Sequence, residues 1–170
     1  MEGMRRAKRP VSIMAGPYGH PFHPILVTVP IGAWVASLVF DVASRLVEDE
    51  RSLVVGSRWL IAIGVLGAAA AAMVGFLDLF GIPIGTLAFR TGLLHMGLNL
   101  TVTVAYLVNF LLRRSEASVP VGLVVLSAVS LAVLAVSGYL GGKLAFRYGV
   151  RVADEDAQAD GYRITASGKE

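Results

Sequence analysis

Four long apolar stretches, at about residues 24–46, 59–80, 92–112 and 120–141, limit what this chain can fold into more than any other feature. A hydrocarbon core is crossed by about 20 apolar residues at ~1.5 Å rise each. Inside lipid a segment must satisfy its own backbone N–H and C=O groups, so each stretch is expected to be a helix. Short connections make sequential helices antiparallel neighbours. The fold expected is therefore all-α: an integral membrane four-helix bundle running up-down-up-down. Composition agrees, with 16% charged residues and a mean hydropathy of +0.69, against roughly 25% charged in soluble domains.

The chain divides into a basic N-terminal arm over 1–17, a transmembrane domain over 18–151 and a polar C-terminal tail over 152–170. The tail has little apolar surface to offset the entropy of ordering it and is expected to be loosely packed. A cleaved signal peptide is not expected, because prolines at 17, 21 and 24 interrupt the chain after its basic start and the first apolar run is full length. Basic residues near the helix ends are Arg5, Arg6, Lys8, Arg9, Arg90, Lys143, Arg147 and Arg151 on one side. The other side has Arg45, Arg51, Arg58, Arg113 and Arg114. The larger set predicts both termini in the cytoplasm, with the bundle in the inner (cytoplasmic) membrane. The net charge of +3 belongs to these flanks; no basic helix with interleaved aromatics points to nucleic acid. The chain has no cysteine, which excludes disulfides, thiolate metal sites and Cys-ligated clusters.

The stretch Gly19-His20-Pro21-Phe22-His23-Pro24 holds two of the three histidines immediately before the first apolar run. Proline after each histidine disfavours the α conformation there and stiffens the backbone. Pro24 suits a first helical position, with His23 as N-cap; the helix dipole then favours a neutral, ligand-competent imidazole. In an up-down-up-down bundle His20 and His23 share one membrane face with Asp78, Arg90, His95, Lys143 and Arg147. In the third helix His95, Asn99, Val102, Tyr106 and Asn109 recur in steps of four and three, a stripe that must face the bundle or a cavity. Asp41 and Asp78 lie inside apolar runs, where carboxylates are paired or functional. Arg45, one turn on, is the expected partner of Asp41, and Arg90 that of Asp78. Small residues at four-residue spacing, Gly64, Ala68 and Ala72, and Gly67, Ala71 and Gly75, allow close helix packing, within the chain or in a homodimer.

These residues resemble the small bacterial membrane proteins grouped as domain of unknown function 2231. The resemblance rests on Gly19–Pro24 with Val29-Pro30-Ile31-Gly32, on Gly75-Phe76-Leu77-Asp78, on His95 with Asn99, and on Ser137-Gly138-Tyr139-Leu140-Gly141-Gly142 with Tyr148-Gly149-Val150. It covers about residues 18–151 and implies a four-helix membrane fold without an established activity. Some members of that group are joined to Rieske-type iron–sulfur domains. Without cysteine this chain cannot ligate such a cluster, so any iron–sulfur partner is a separate redox protein.

Three functions remain open. In the first, His23 and His95 ligate one haem b for electron transfer, Asn99 supports His95, and Arg90, Lys143 and Arg147 pair with the propionates. In the second, His20, His23 and His95 bind or transport a zinc, copper or iron ion. In the third, the histidines are structural and the protein is an accessory subunit with no cofactor. Nothing looks like a nucleophile elbow, a phosphate-binding loop or a zinc-protease helix, so catalysis of its own is not expected.

Overall fold

The computed structural model describes residues 2–113 and 118–163. After a short helix α1 (Glu2–Lys8) the chain forms α2 (His23–Leu26) and α3 (Thr28–Ala43), which are nearly continuous, then α4 (Arg51–Leu79), α5 (Leu87–Leu112) and α6 (Val121–Gly142). The last runs on into a π-helical turn, Lys143–Arg147, and a short α7 (Glu155–Ala159) comes after it. Four helices are long and apolar enough to cross a membrane: His23–Ala43, Arg51–Leu79, Leu87–Leu112 and Val121–Arg147. The four-helix bundle is therefore observed. Its second helix starts eight residues before the apolar run from 59, because Arg51, Ser52 and Arg58 continue the helix at the interface. Part of the loop before α6 (114–117) and of the C-terminal tail (164–170) lies outside the described residues.

The two helical hairpins repeat one another. His23 and His95, Trp34 and Tyr106, and Asp41 and Arg113 are each 72 residues apart in sequence and touch in space. Offsets of 11 and 18 residues from either histidine are close to three and five α-helical turns, so all three pairs lie on one face of their helices. The acceptors repeat with a 66-residue offset. Trp34 Nε1 donates to the Ile61 carbonyl at 3.4 Å, and Tyr106 Oη to the Ser127 carbonyl at 3.3 Å. Together these pairs define a pseudo-two-fold axis between α3 and α5, with each pair facing across it.

The middle layer is the Trp34–Tyr106 stack, with ring centroids 4.2 Å apart and planes within 5°. Ile61, Ala68 and Val102 close round it. The small residues of α4 make this approach possible. A Cβ on Gly64 would collide with Trp34 Nε1, and one on Gly67 would lie 2.8 Å from a Val29 methyl. This spacing serves contacts within the chain. Gly64→Ala is expected to cost about 1–3 kcal/mol as an overpacked core, read as a lowered unfolding midpoint in detergent.

The far layer holds the charges. Asp41 takes a two-pronged ion pair from Arg113, Nη1 to Oδ1 at 2.8 Å and Nη2 to Oδ2 at 2.6 Å. This corrects the expected pairing with Arg45, which instead donates to the Val119 carbonyl at 2.6 Å. Helix geometry explains the switch. Arg45 lies just past the end of α3 and reaches outward to the start of α6, whereas Arg113 lies directly across the axis from Asp41. Asn109 Oδ1 accepts from Arg113 Nε at 2.8 Å, and Ser57 Oγ from its Nη1 at 3.1 Å, so all three nitrogens of the guanidinium donate.

Both described ends of the chain close the opposite end of the bundle. Ala7, Ile82 and Val150 form a small buried cluster, and Arg151 N–H donates to the Ala7 carbonyl at 3.0 Å. Asp154 caps α7, accepting from Ala157 N–H at 3.2 Å. Its carboxyl is held below the usual value by a hydrogen bond from the Tyr18 hydroxyl and then by that capping N–H.

Candidate functional site

The histidine pair is the layer nearest these packed termini. α2 begins at His23 with Phe22 as N-cap, one residue before the Pro24 start read from sequence. Pro24 needs no intrahelical donor in that first turn, which is why the helix can open here. His23 Nδ1 lies 2.9 Å from the Ala71 carbonyl of α4. His95, eight residues into α5, places Nδ1 2.8 Å from the Ser137 carbonyl of α6. A carbonyl only accepts, so each Nδ1 carries a proton, and in the neutral ring the lone pair is then on Nε2.

Each ring rests on a glycine of the facing helix. A Cβ on Gly75 would come within 2.9 Å of His23 Cε1 and Nδ1, and one on Gly141 within 3.0 Å of His95 Cε1. Ala71 with Gly75 and Ser137 with Gly141 are the same i, i+4 device, again 66 residues apart. The rings are 6.2 Å apart between centroids with planes at 83°. Asn99 Nδ2 donates to Ser137 Oγ and to the His95 carbonyl, both at 2.8 Å. It also lies 3.2 Å from His95 Nε2 and 3.4 Å from Nδ1, which places it above the ring rather than in its plane. Ser137 Oγ donates in turn to the His95 carbonyl at 3.2 Å. Four helices thus converge on two imidazoles.

The family model described as "Predicted membrane protein (DUF2231)" matches residues 19–154. The chain belongs to the DUF2231 family. No curated protein and no solved structure gives a significant match.

In this DUF2231 protein the other candidates stand apart from the pair. His20 is exposed in the turn before α2, and Arg90 and Arg147 are exposed at the surface. Lys143 is half-buried, with Nζ 5.6 Å from the Tyr148 ring centroid. Among the described residues no group of three or more His, Cys, Asp or Glu side chains could hold a metal ion. Asp78 pairs with Arg151, Nε to Oδ1 at 2.8 Å, and not with Arg90 as expected. Arg90 lies in the first turn of α5 and faces outward, while the turn after the π-helical segment delivers Arg151 inward. Sequence reading also missed Ser137, Gly75 and Gly141 as parts of the site. The shared 72- and 66-residue offsets were the signal that would have exposed them.

Proposed function

We propose that His23 and His95 would together hold one haem b through their Nε2 atoms, and that this DUF2231 protein is a membrane electron carrier. The observation that carries the reading is the matched pair of Nδ1–H bonds to backbone carbonyls, which leaves both Nε2 atoms as ligands in the manner of oriented metal-binding histidines. The ring centroids lie 6.2 Å apart, a spacing that would leave room for one metal atom between the two imidazoles. The pseudo-two-fold axis supports one shared centre, because both rings donate to a backbone carbonyl and rest on a glycine of the facing helix. The haem would supply a one-electron change at iron. The chain's own contribution is to fix both tautomers, hold the rings apart on their glycines and keep Asn99 over His95. With both imidazoles engaged the group would serve electron transfer rather than catalysis.

A bare ion is served less well. Two imidazoles are two ligands short of the four that zinc takes, and His20 is turned to solvent. The electron partner in this reading is a separate redox protein, Rieske-type by the family resemblance.

An oxidised-minus-reduced visible spectrum of the detergent-purified protein, with elemental analysis, tests the assignment. Wild type is expected to show low-spin haem bands at one haem per chain. His95→Ala should remove the haem while the protein still inserts in the membrane. Full haem content in His95→Ala would end the reading, and stoichiometric zinc, copper or iron without haem would turn it to an ion site.

We further propose that the bundle lies in the inner membrane with the histidine end and both termini in the cytoplasm, a reading supported by the basic residues gathered at that end. Because the chain lacks cysteine, single substitutions give a clean test. In intact cells Ser52→Cys should react with an impermeant maleimide and Gly161→Cys should not; the reverse pattern would invert the topology.

A further inference from the structure

Arg151 is a buried cation at the histidine end of the bundle whose donors are incompletely used among the described residues. It comes two residues after Gly149 (φ 69°) in the turn that ends the π-helical segment and is itself left-handed at φ 60°, a conformation costly for a residue with a Cβ. That backbone directs the side chain inward, where it is 5% exposed. Nε faces Asp78 Oδ1 at 2.8 Å, and Nη2 donates to the Ala15 and Gly16 carbonyls, both at 2.9 Å. Nη1 is buried and meets no acceptor among the described residues, and the close Nε–Oδ1 contact is an ion pair without hydrogen-bond alignment. A guanidinium has five N–H donors in a fixed fork, and leaving one edge buried and unpaired is expensive.

The location gives that edge a use. Asp78, the ion-pair partner of Arg151, is three residues beyond Gly75, the glycine beneath the His23 ring, so the pair is anchored on the same helix about one turn further toward the packed termini. Ala15, whose carbonyl Nη2 holds, also accepts from Phe22 N–H at 3.2 Å. Arg151 therefore grips the loop that presents His23 and still has an unpaired donor in Nη1. Guanidinium edges suit carboxylates in geometry and charge.

We infer that Arg151 holds a carboxylate of the ligand bound at His23 and His95 through its Nη1 edge. The inference rests on the haem reading, since haem b carries two such groups. It places the anion contact on Arg151 rather than on the exposed Arg90 and Arg147.

The full-length apoprotein in detergent is titrated with iron protoporphyrin IX and, separately, with its dimethyl ester, reading Soret absorbance. Wild type is expected to bind the diacid on the order of ten- to a hundredfold more tightly than the ester, as for loss of a charge-assisted hydrogen bond. Arg151→Gln should bind both equally and still show the low-spin spectrum. If Arg151→Gln does not fold, the wild-type comparison stands alone, and equal affinity for acid and ester overturns the inference while leaving bis-histidine ligation intact. Retained discrimination in Arg151→Gln assigns the carboxylate to another cation and also overturns it. Failure of both porphyrins to bind removes the haem reading and the inference together. A water as the sole partner of Nη1 in a structure of the loaded protein would sink the inference alone.

Discussion

Arg113→Met alone should destabilise the detergent-solubilised protein by about 3–5 kcal/mol, the usual cost of leaving one partner of a buried ion pair unpaired. Asp41 is fully buried and accepts at both oxygens from Arg113. Without the guanidinium a carboxylate would remain in a low-dielectric interior, and Asn109 and Ser57 would each lose a donor. Asp41→Leu with Arg113→Met should recover much of the loss, because two apolar residues of similar size leave no charge to solvate. Unfolding by increasing SDS fraction, monitored by circular dichroism, measures both. If the single and double variants are equally unstable, the pair is not a self-contained unit and the pseudo-two-fold description of this layer is wrong.

If the proposed haem binds at His23 and His95, Gly75→Leu and Gly141→Leu should each lower haem content about five- to a hundredfold, an effect aimed at the site rather than at the fold. Already the first added carbon would lie 2.9–3.0 Å from an imidazole atom, and the imidazole cannot retreat without breaking its Nδ1–H bond to Ala71 or Ser137. Overpacking of that kind costs about 1–3 kcal/mol, and a displaced ligand loses affinity in proportion. The pseudo-symmetry makes a sharper statement: the two substitutions should have similar effects, since the two glycines hold equivalent positions under equivalent ligands. Haem per chain in membranes, normalised to protein by immunoblot, reads this out. Gly138→Leu is the control, because nothing lies within 4 Å of a Cβ at that position. Normal haem in Gly75→Leu and Gly141→Leu would mean that the rings do not bind where they rest.

The fold was legible because lipid leaves the chain few choices. Runs of about 20 apolar residues must be helices, short loops must make them antiparallel, and periods of four and three marked the polar stripe of α5. Four of that stripe's five residues, Asn99, Val102, Tyr106 and Asn109, are half-buried or buried beside His95. His23 and His95 could be named, since histidine flanking or interrupting an apolar run has a cost that needs a reason.

Pairing across the bundle was not legible in the same way. Proximity along a helix favoured Arg45 for Asp41 and proximity through a turn favoured Arg90 for Asp78, yet Arg113 and Arg151 hold them. Sequence separation says little about which faces meet; that is settled when small residues on α4 and α6 let the helices close to a particular distance and rotation. The amino-acid sequence by itself determined that four helices would span a membrane with the histidines at one end. Only the tertiary structure decided that they face each other across an axis of internal repetition, because that depends on packing two hairpins in register, which no local pattern encodes.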